Sequence, residues 1–211
     1  MRAVIYTGGE VDASLVAFRP SPGDLILAAD SGFRTARLFG AVPDILLGDF
    51  DSLGSLPALP PSVELLRVPS EKDDTDTQLA ASVALSRGAD SILIVGGLGG
   101  RLDHSLANLA LLEDLSRRGI PALLDSGRTR ARFLLSGSVA LSRETRFRYL
   151  SLLPADRTVR GVTVEGVKYP LSSAVLRRRC AGFSISNEIT APAATVSVSS
   201  GSLWILETSD D

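Results

Sequence analysis

From its first residue to about position 125 the chain alternates short apolar runs with helical patterns, and this alternation constrains its fold more than any other feature. Ala3–Tyr6, Leu25–Ala28, Ile45–Leu47, Ser91–Val95 and Ala122–Leu124 read as short buried strands. Gly32–Phe39, Thr75–Arg87 and Asp103–Arg118 read as helices. Ser31 or Asp73 is placed to cap the first two, and Gly88 and Gly119 follow the last turns of the second and third. Strands separated by helices do not pair as tight hairpins. They form a mostly parallel sheet with helices on both faces. The expected class is therefore α/β, with an N-terminal doubly wound, mostly parallel sheet and flanking helices.

The texture changes near Ser126. Period-two runs follow at Thr129–Leu135, Phe147–Leu152, Thr195–Val198 and Leu203–Glu207, separated by Gly, Ser and Pro. The Ser-Gly-Ser runs at 136–138 and 200–202 read as hairpin turns. A smaller antiparallel β-sandwich of roughly 80 residues is expected here. The domain boundary then divides the chain into 1–126 and 127–211.

A chain of 211 residues with 45% hydrophobic and 22% charged residues can bury a substantial core. Its net charge of −2, without a basic block, argues against nucleic acid as a main partner. One cysteine, Cys180, cannot close an internal disulfide and suits a reducing compartment. One histidine, His104, disfavours a His-rich zinc site. No segment is long enough to span a membrane, and the start MRAVIYTGGE lacks the apolar stretch of a signal peptide. A cytoplasmic protein with no membrane partner is expected.

Three acidic motifs sit just after apolar runs, where ligands bind in parallel sheets, as does Ala29-Asp30-Ser31-Gly32. In GDFDS (48–52), Asp49 and Asp51 share a face if the backbone is extended. The alternative is a turn capped by its own aspartates. In EKDDTD (71–76), Asp73, Asp74 and Asp76 exceed what capping a helix needs. Lys72 is placed to offset them or to touch a phosphate, and it is one of only two lysines. GGLGGRLDH (96–104) opens a helix, where glycine amides and the helix N-terminus favour phosphate. Arg101 can grip a phosphate bidentately. Asp103 either meets a metal or caps the helix, and His104 is a candidate substrate contact or a structural residue. Converging carboxylates need a cation, and hard oxygen ligands suit Mg²⁺. No Walker A lysine is present. Towards the C-terminus, GVKYPL (166–171) and ISNE (185–188) offer an aromatic–polar loop and an Asn-centred turn, able to grip a small heterocycle or simply to form hairpin loops.

Taken together these segments resemble the thiamine pyrophosphokinase family. The resemblance runs through ADSG (29–32), PDILLGDFDSLG (43–54), KDDTD (72–76), GGLGGRLDHSLANL (96–109), GVKYPL and SNE (186–188), in order. It implies an α/β domain followed by a β-sandwich, and a homodimer with active sites at the subunit interface. The implied reaction is ATP + thiamine → AMP + thiamine diphosphate, with the thiamine hydroxyl attacking the β-phosphorus. The resemblance implies Mg²⁺ held by Asp49, Asp51 and Asp76, with Asp73 and Asp103 as further catalytic candidates. Either Asp76 or Asp103 would take the hydroxyl proton. Asp30, Ser31, Gly32, Lys72, Gly99, Gly100, Arg101 and Asn108 would meet ATP. Ser186, Asn187 and His104 would meet thiamine. Rival readings of the acids are a DxD phosphatase with Asp49 as nucleophile, a DxD nucleotide-sugar transferase, and a non-catalytic nucleotide sensor.

Overall fold

The computed structural model describes residues 1–51, 59–69 and 73–210, apart from the side chain of residue 181. The chain divides into two compact units, Met1–Gly127 and Arg128–Asp211.

In the first unit six strands run parallel: β1 (Arg2–Tyr6), β2 (Leu25–Ala29), β3 (Ile45–Gly48), β4 (Glu64–Arg67), β5 (Ser91–Val95) and β6 (Ala122–Asp125). Their order is β4-β3-β2-β1-β5-β6. The chain moves outward from β1 to β4, then returns to the other side of β1 as β5. Connections leave β1 and β5 in opposite directions, so a crevice opens at their carboxyl ends. Strand β4 has no counterpart in the sequence reading. It is four residues long, Glu-Leu-Leu-Arg, and lies at the sheet edge with alternate residues exposed. So short and charged a run carries little apolar signal.

Three helices flank this sheet: α1 (Gly32–Leu38), α2 (Asp76–Ser86) and α3 (Leu102–Arg117). Helix α1 lies on β1 and β2, α2 on β1, β2 and β3, and α3 on β6. Ala36 of α1 packs with Val4, Tyr6, Leu93 and Val95, and Phe39 joins them with its ring 5.5 Å from that of Tyr6. Helix α2 buries Ala80, Ala81 and Ala84, small side chains that let its axis approach the strands closely. Asp73 does not cap α2. Thr75 does, accepting from Gln78 N, while the Gln78 side chain accepts from Thr75 N. This reciprocal pair satisfies two amides that the helix leaves without partners, contributing about 1 kcal/mol. Asp73 is thereby left exposed, outside the cap. Ser31 occupies the start of α1 but makes no side-chain cap.

The second unit has two antiparallel sheets. One pairs β13 (Leu203–Thr208) with β7 (Thr129–Leu134) and β9 (Tyr149–Pro154). The other runs β11-β10-β12-β8, with β8 (Gly137–Ser142), β10 (Thr158–Glu165), β11 (Leu171–Arg177) and β12 (Ala193–Val198). Between them lies one apolar core, with Leu150 and Leu152 of β9 and Ile205 of β13 facing Val162, Val164, Leu176 and Val196. The sandwich is as expected, but three of its strands, β8, β10 and β11, lacked a clear sequence signal. Gly137, Gly161, Ser172 and Ser173 interrupt their apolar alternation, and β10 and β11 shift register twice. The two Ser-Gly-Ser runs are not hairpin turns. Residues 136–138 lead from β7 in one sheet to β8 in the other, and 200–202 lead from β12 back to β13. Among the described residues no helix is long and apolar enough to cross a membrane.

Candidate active site

The carboxyl ends of β1, β2, β3 and β5 meet the starts of α2 and α3 around a cleft of about 550 Å³. Thr7, Gly8 and Gly9 line it from β1; Asp30 and Ser31 from β2; Asp49 from β3. Asp74, Thr75, Asp76 and Thr77 line it from the start of α2, and Gly97, Gly99, Gly100, Arg101, His104 and Asn108 from the loop after β5 and from α3. Residues read from four separate motifs thus share one cavity.

The walls are pinned by polar contacts in the sheet's apolar surroundings. Thr7 and Thr77 hydroxyls share a buried hydrogen bond of 2.8 Å, tying β1 to α2. Thr35 Oγ1 donates to Thr7 O at 2.9 Å, tying β1 to α1. The glycine loop is held from both sides. Gly97 N donates to Gly8 O and Glu10 N to Leu98 O. Asn108, 5% exposed, donates from Nδ2 to Gly97 O at 2.7 Å. Asn108 therefore borders the cleft while anchoring the loop that shapes it. Gly32 is needed for a different reason: a Cβ there would lie 2.1 Å from Tyr6 O. That close approach brings the Asp30-Ser31 turn against the end of β1.

The acids do not all face the same way. Asp49 borders the cleft, but Phe50 takes φ 68° and so breaks the extended conformation in which Asp49 and Asp51 would share a face. Phe50 buries its ring with Ala28, Phe33 and Leu46. Asp49 Oδ1 accepts the Asp51 amide at 3.1 Å, and Asp51 stands exposed beside it, outside the cleft lining. Asp76 and Asp74 border the cleft, whereas exposed Asp73 does not. Asp103 also lies outside the lining. It takes Arg101 Nε and Nη2 at 3.1 and 2.6 Å, and the guanidinium holds its carboxyl down at about 2. Arg101 has its bidentate partner within its own loop, so a phosphate would have to compete with Asp103 or share the guanidinium with it. Gly32 lies just behind the Asp30-Ser31 wall, buried in the first turn of α1. Lys72 falls outside the described residues.

Mg²⁺ fits this donor set. Asp49 and Asp76 present hard oxygens to a cavity whose remaining wall is glycine backbone suited to phosphate. Among the described residues no three metal-ligating side chains close on one point. An open set of that kind suits an ion that keeps several waters and takes further oxygens from substrate phosphates.

In the second unit the two C-terminal motifs come together. Asn187 Oδ1 accepts from Tyr169 N and Glu188 N, and its Nδ2 donates to Tyr169 O at 2.8 Å. Its backbone pairs with Leu150 in both directions. Ser186, at φ 59°, donates its amide to Ser151 Oγ. Lys168 and Glu188 form an ion pair at 2.8 Å. A small cavity of about 40 Å³ lies here, bordered by Asn187, Tyr169, Phe183 and Leu150. Tyr169 and Phe183 are more than half exposed.

The sequence reading missed Thr7, Gly8, Gly9 and Thr77. The Gly-Gly pair directly after the first strand was the available signal, since glycines at a strand's carboxyl end let a ligand approach backbone.

A cleft of acids, glycine amides and an arginine at the switch point of a parallel sheet defines a phosphate-handling α/β enzyme. Comparison with known proteins narrows the class. Residues 21–124 match the thiamin pyrophosphokinase catalytic domain, and 138–203 match the thiamin pyrophosphokinase vitamin B1 binding domain. The chain is similar to thiamine pyrophosphokinase of Bacillus subtilis, 29% identical over 191 residues and 88% of each chain. Solved thiamine pyrophosphokinases from Bacillus subtilis and Geobacillus thermodenitrificans superpose with TM-scores of 0.87 and 0.84. They are 27% and 29% identical, covering 100% of this chain and 100% and 99% of theirs. The chain belongs to the thiamine pyrophosphokinase family.

Proposed function

We propose that this chain transfers the diphosphate of ATP to the hydroxyl of thiamine, releasing AMP and thiamine diphosphate. The observation that carries the reading is the shared cleft: Asp49, Asp76, the 97–101 glycine loop and Arg101 border one cavity. In the reading, the first unit receives ATP and the second receives thiamine. The nucleotide lies along Asp30, Ser31, Gly32 and Asn108, with its phosphates towards Gly99, Gly100 and Arg101. Asp49 and Asp76 would hold Mg²⁺ directly; Asp51, whose amide donates to Asp49 Oδ1 but whose side chain lies outside the cleft lining, would reach the ion through its waters. Bound there, the ion neutralises phosphate oxygens and screens the charge that builds on them during transfer.

The chain's own groups have three tasks. Glycine amides and Arg101 hold the phosphates in line for attack, an alignment worth orders of magnitude in rate. Of the two candidate bases for the thiamine hydroxyl, Asp76 is the better placed, because it borders the cleft, whereas Asp103 lies outside its lining in the grip of Arg101. Asn187 fixes the Tyr169 loop, and Ser186, Asn187 and His104 supply the polar contacts to thiamine. The family resemblance supports a homodimer with sites at the subunit interface, and the single cysteine suits a cytoplasmic setting.

Product analysis tests this. Pure protein with ATP, Mg²⁺ and thiamine is expected to yield AMP and thiamine diphosphate in equal amounts, abolished by EDTA. ADP or free phosphate without thiamine diphosphate would return the acids to a phosphatase or another transferase.

A further inference from the structure

A second charged concavity lies on the second unit, sharing no lining residue with the cavities described above. Arg157, Thr158, Arg177, Arg178 and Arg179 border a hollow of about 760 Å³. The fold assembles it from two chain segments. Thr158 at the start of β10 pairs with Arg177 at the end of β11, and Arg178 N reaches Arg157 O. That register sets Arg157 beside the Arg177-Arg178-Arg179 run. All four arginines are exposed.

Among the described residues no ion pair ties these guanidinium groups to an acid. Elsewhere arginines meet acids: Arg2 pairs with Asp24, Arg87 with Glu64, and Arg132 with Glu207. Among the described residues none of Arg157, Arg177, Arg178 and Arg179 forms an ion pair; Arg178 donates to a carbonyl, Ala155 O. The adjacent acid, Asp156, instead accepts from Ser202 Oγ at 2.8 Å. Four like charges around one hollow repel one another, and this in a chain whose net charge is −2. An anion entering the hollow relieves that repulsion and meets forked donors suited to phosphate oxygens.

We propose that this hollow is an oligophosphate-binding site. A single phosphate would neutralise about half of the four charges, whereas a di- or triphosphate chain matches them. Among the described residues no aromatic ring borders the hollow to stack a base, so the ligand is recognised by its phosphates. They belong either to a free oligophosphate or to the tail of a nucleotide. The inference stands apart from the reading of the cleft.

The test titrates tripolyphosphate into the full-length protein by calorimetry, in EDTA, where the acidic cleft repels the anion. Arg157→Gln and Arg179→Gln remove the charge while keeping a polar side chain, and spare Arg178. Binding is expected in the unsubstituted protein, weakened roughly tenfold per guanidinium removed and weakened further by salt. Melting temperatures should be unchanged, since both side chains are exposed. Absence of binding, or equal affinity in the double variant, would overturn the proposal. A double variant with lost binding but normal KM for ATP assigns the site to a free oligophosphate. Lost binding with a raised KM assigns it to the nucleotide's tail.

Discussion

Gly32→Ala tests whether the Asp30-Ser31 wall of the cleft depends on contact between α1 and β1. The added Cβ would sit 2.1 Å from Tyr6 O, 2.6 Å from Tyr6 C and 2.7 Å from Thr7 Cα, against 3.4 Å for ordinary contact. All three are backbone atoms, so no side chain can rotate away. The helix start must retreat by about 1 Å. Overpacking of this kind costs about 1–3 kcal/mol. Alanine's better helix propensity returns at most about 1 kcal/mol, and less at a helix's first residue. A net loss of about 1–2 kcal/mol is expected, lowering the melting temperature by about 2–8 °C. Because Asp30 and Ser31 move with the helix, KM for ATP should rise while KM for thiamine holds. Thermal unfolding by circular dichroism and steady-state AMP formation read the two effects. A melting temperature equal to or above that of the parent would refute the reasoning, because it would mean that the close contact is absent.

Asp49→Asn and Asp51→Asn should each lower kcat by roughly a hundredfold or more at saturating Mg²⁺, with melting temperatures preserved. Near-normal turnover in Asp51→Asn would remove it from the metal site. Asn187→Ala severs three side-chain hydrogen bonds that hold Tyr169 and Glu188, so KM for thiamine should rise well beyond that for ATP; equal rises would place the loop's role elsewhere. Burial pushes the Tyr6 hydroxyl from 10 up to about 12, and among the described residues that hydroxyl has no hydrogen-bond partner. Its folded pKa exceeds its unfolded one, so the associated stability is complete below pH 10 and lost as pH rises through 12. Urea midpoints should fall across that window in the parent and fall less in Tyr6→Phe.

The sequence was most informative where local chemistry and burial agree. Buried parallel strands must be continuous apolar runs, so Ile45–Leu47 and Ser91–Val95 announced themselves. The glycine-rich start of α3 was equally plain, since positive φ at Gly96, Gly97, Gly99 and Gly100 leaves few alternatives to glycine. Strand β4 escaped notice because an exposed edge asks little of its side chains, and β10 and β11 because register shifts break their alternation. Side-chain direction was harder still. Spacing alone put Asp49 and Asp51 on one face, and the left-handed Phe50 between them turned Asp51 outward.

Asn187 shows why such a role stays hidden. The family resemblance marked it as a ligand contact, and its amide is also occupied in holding Tyr169, eighteen residues away. A loop so held presents its ring beside the small cavity that β9 and β10 also line. The same reasoning applies to Asn108 and the glycine loop of the first unit. In both units an amide side chain adds to the backbone hydrogen bonds that hold a loop, and each loop borders a cavity. Glycines and exposed aromatics are costly to order in the bound state, about 1–2 kcal/mol per residue for backbone alone. Restraining them before the substrate arrives moves that cost from binding into folding, where the larger core can meet it.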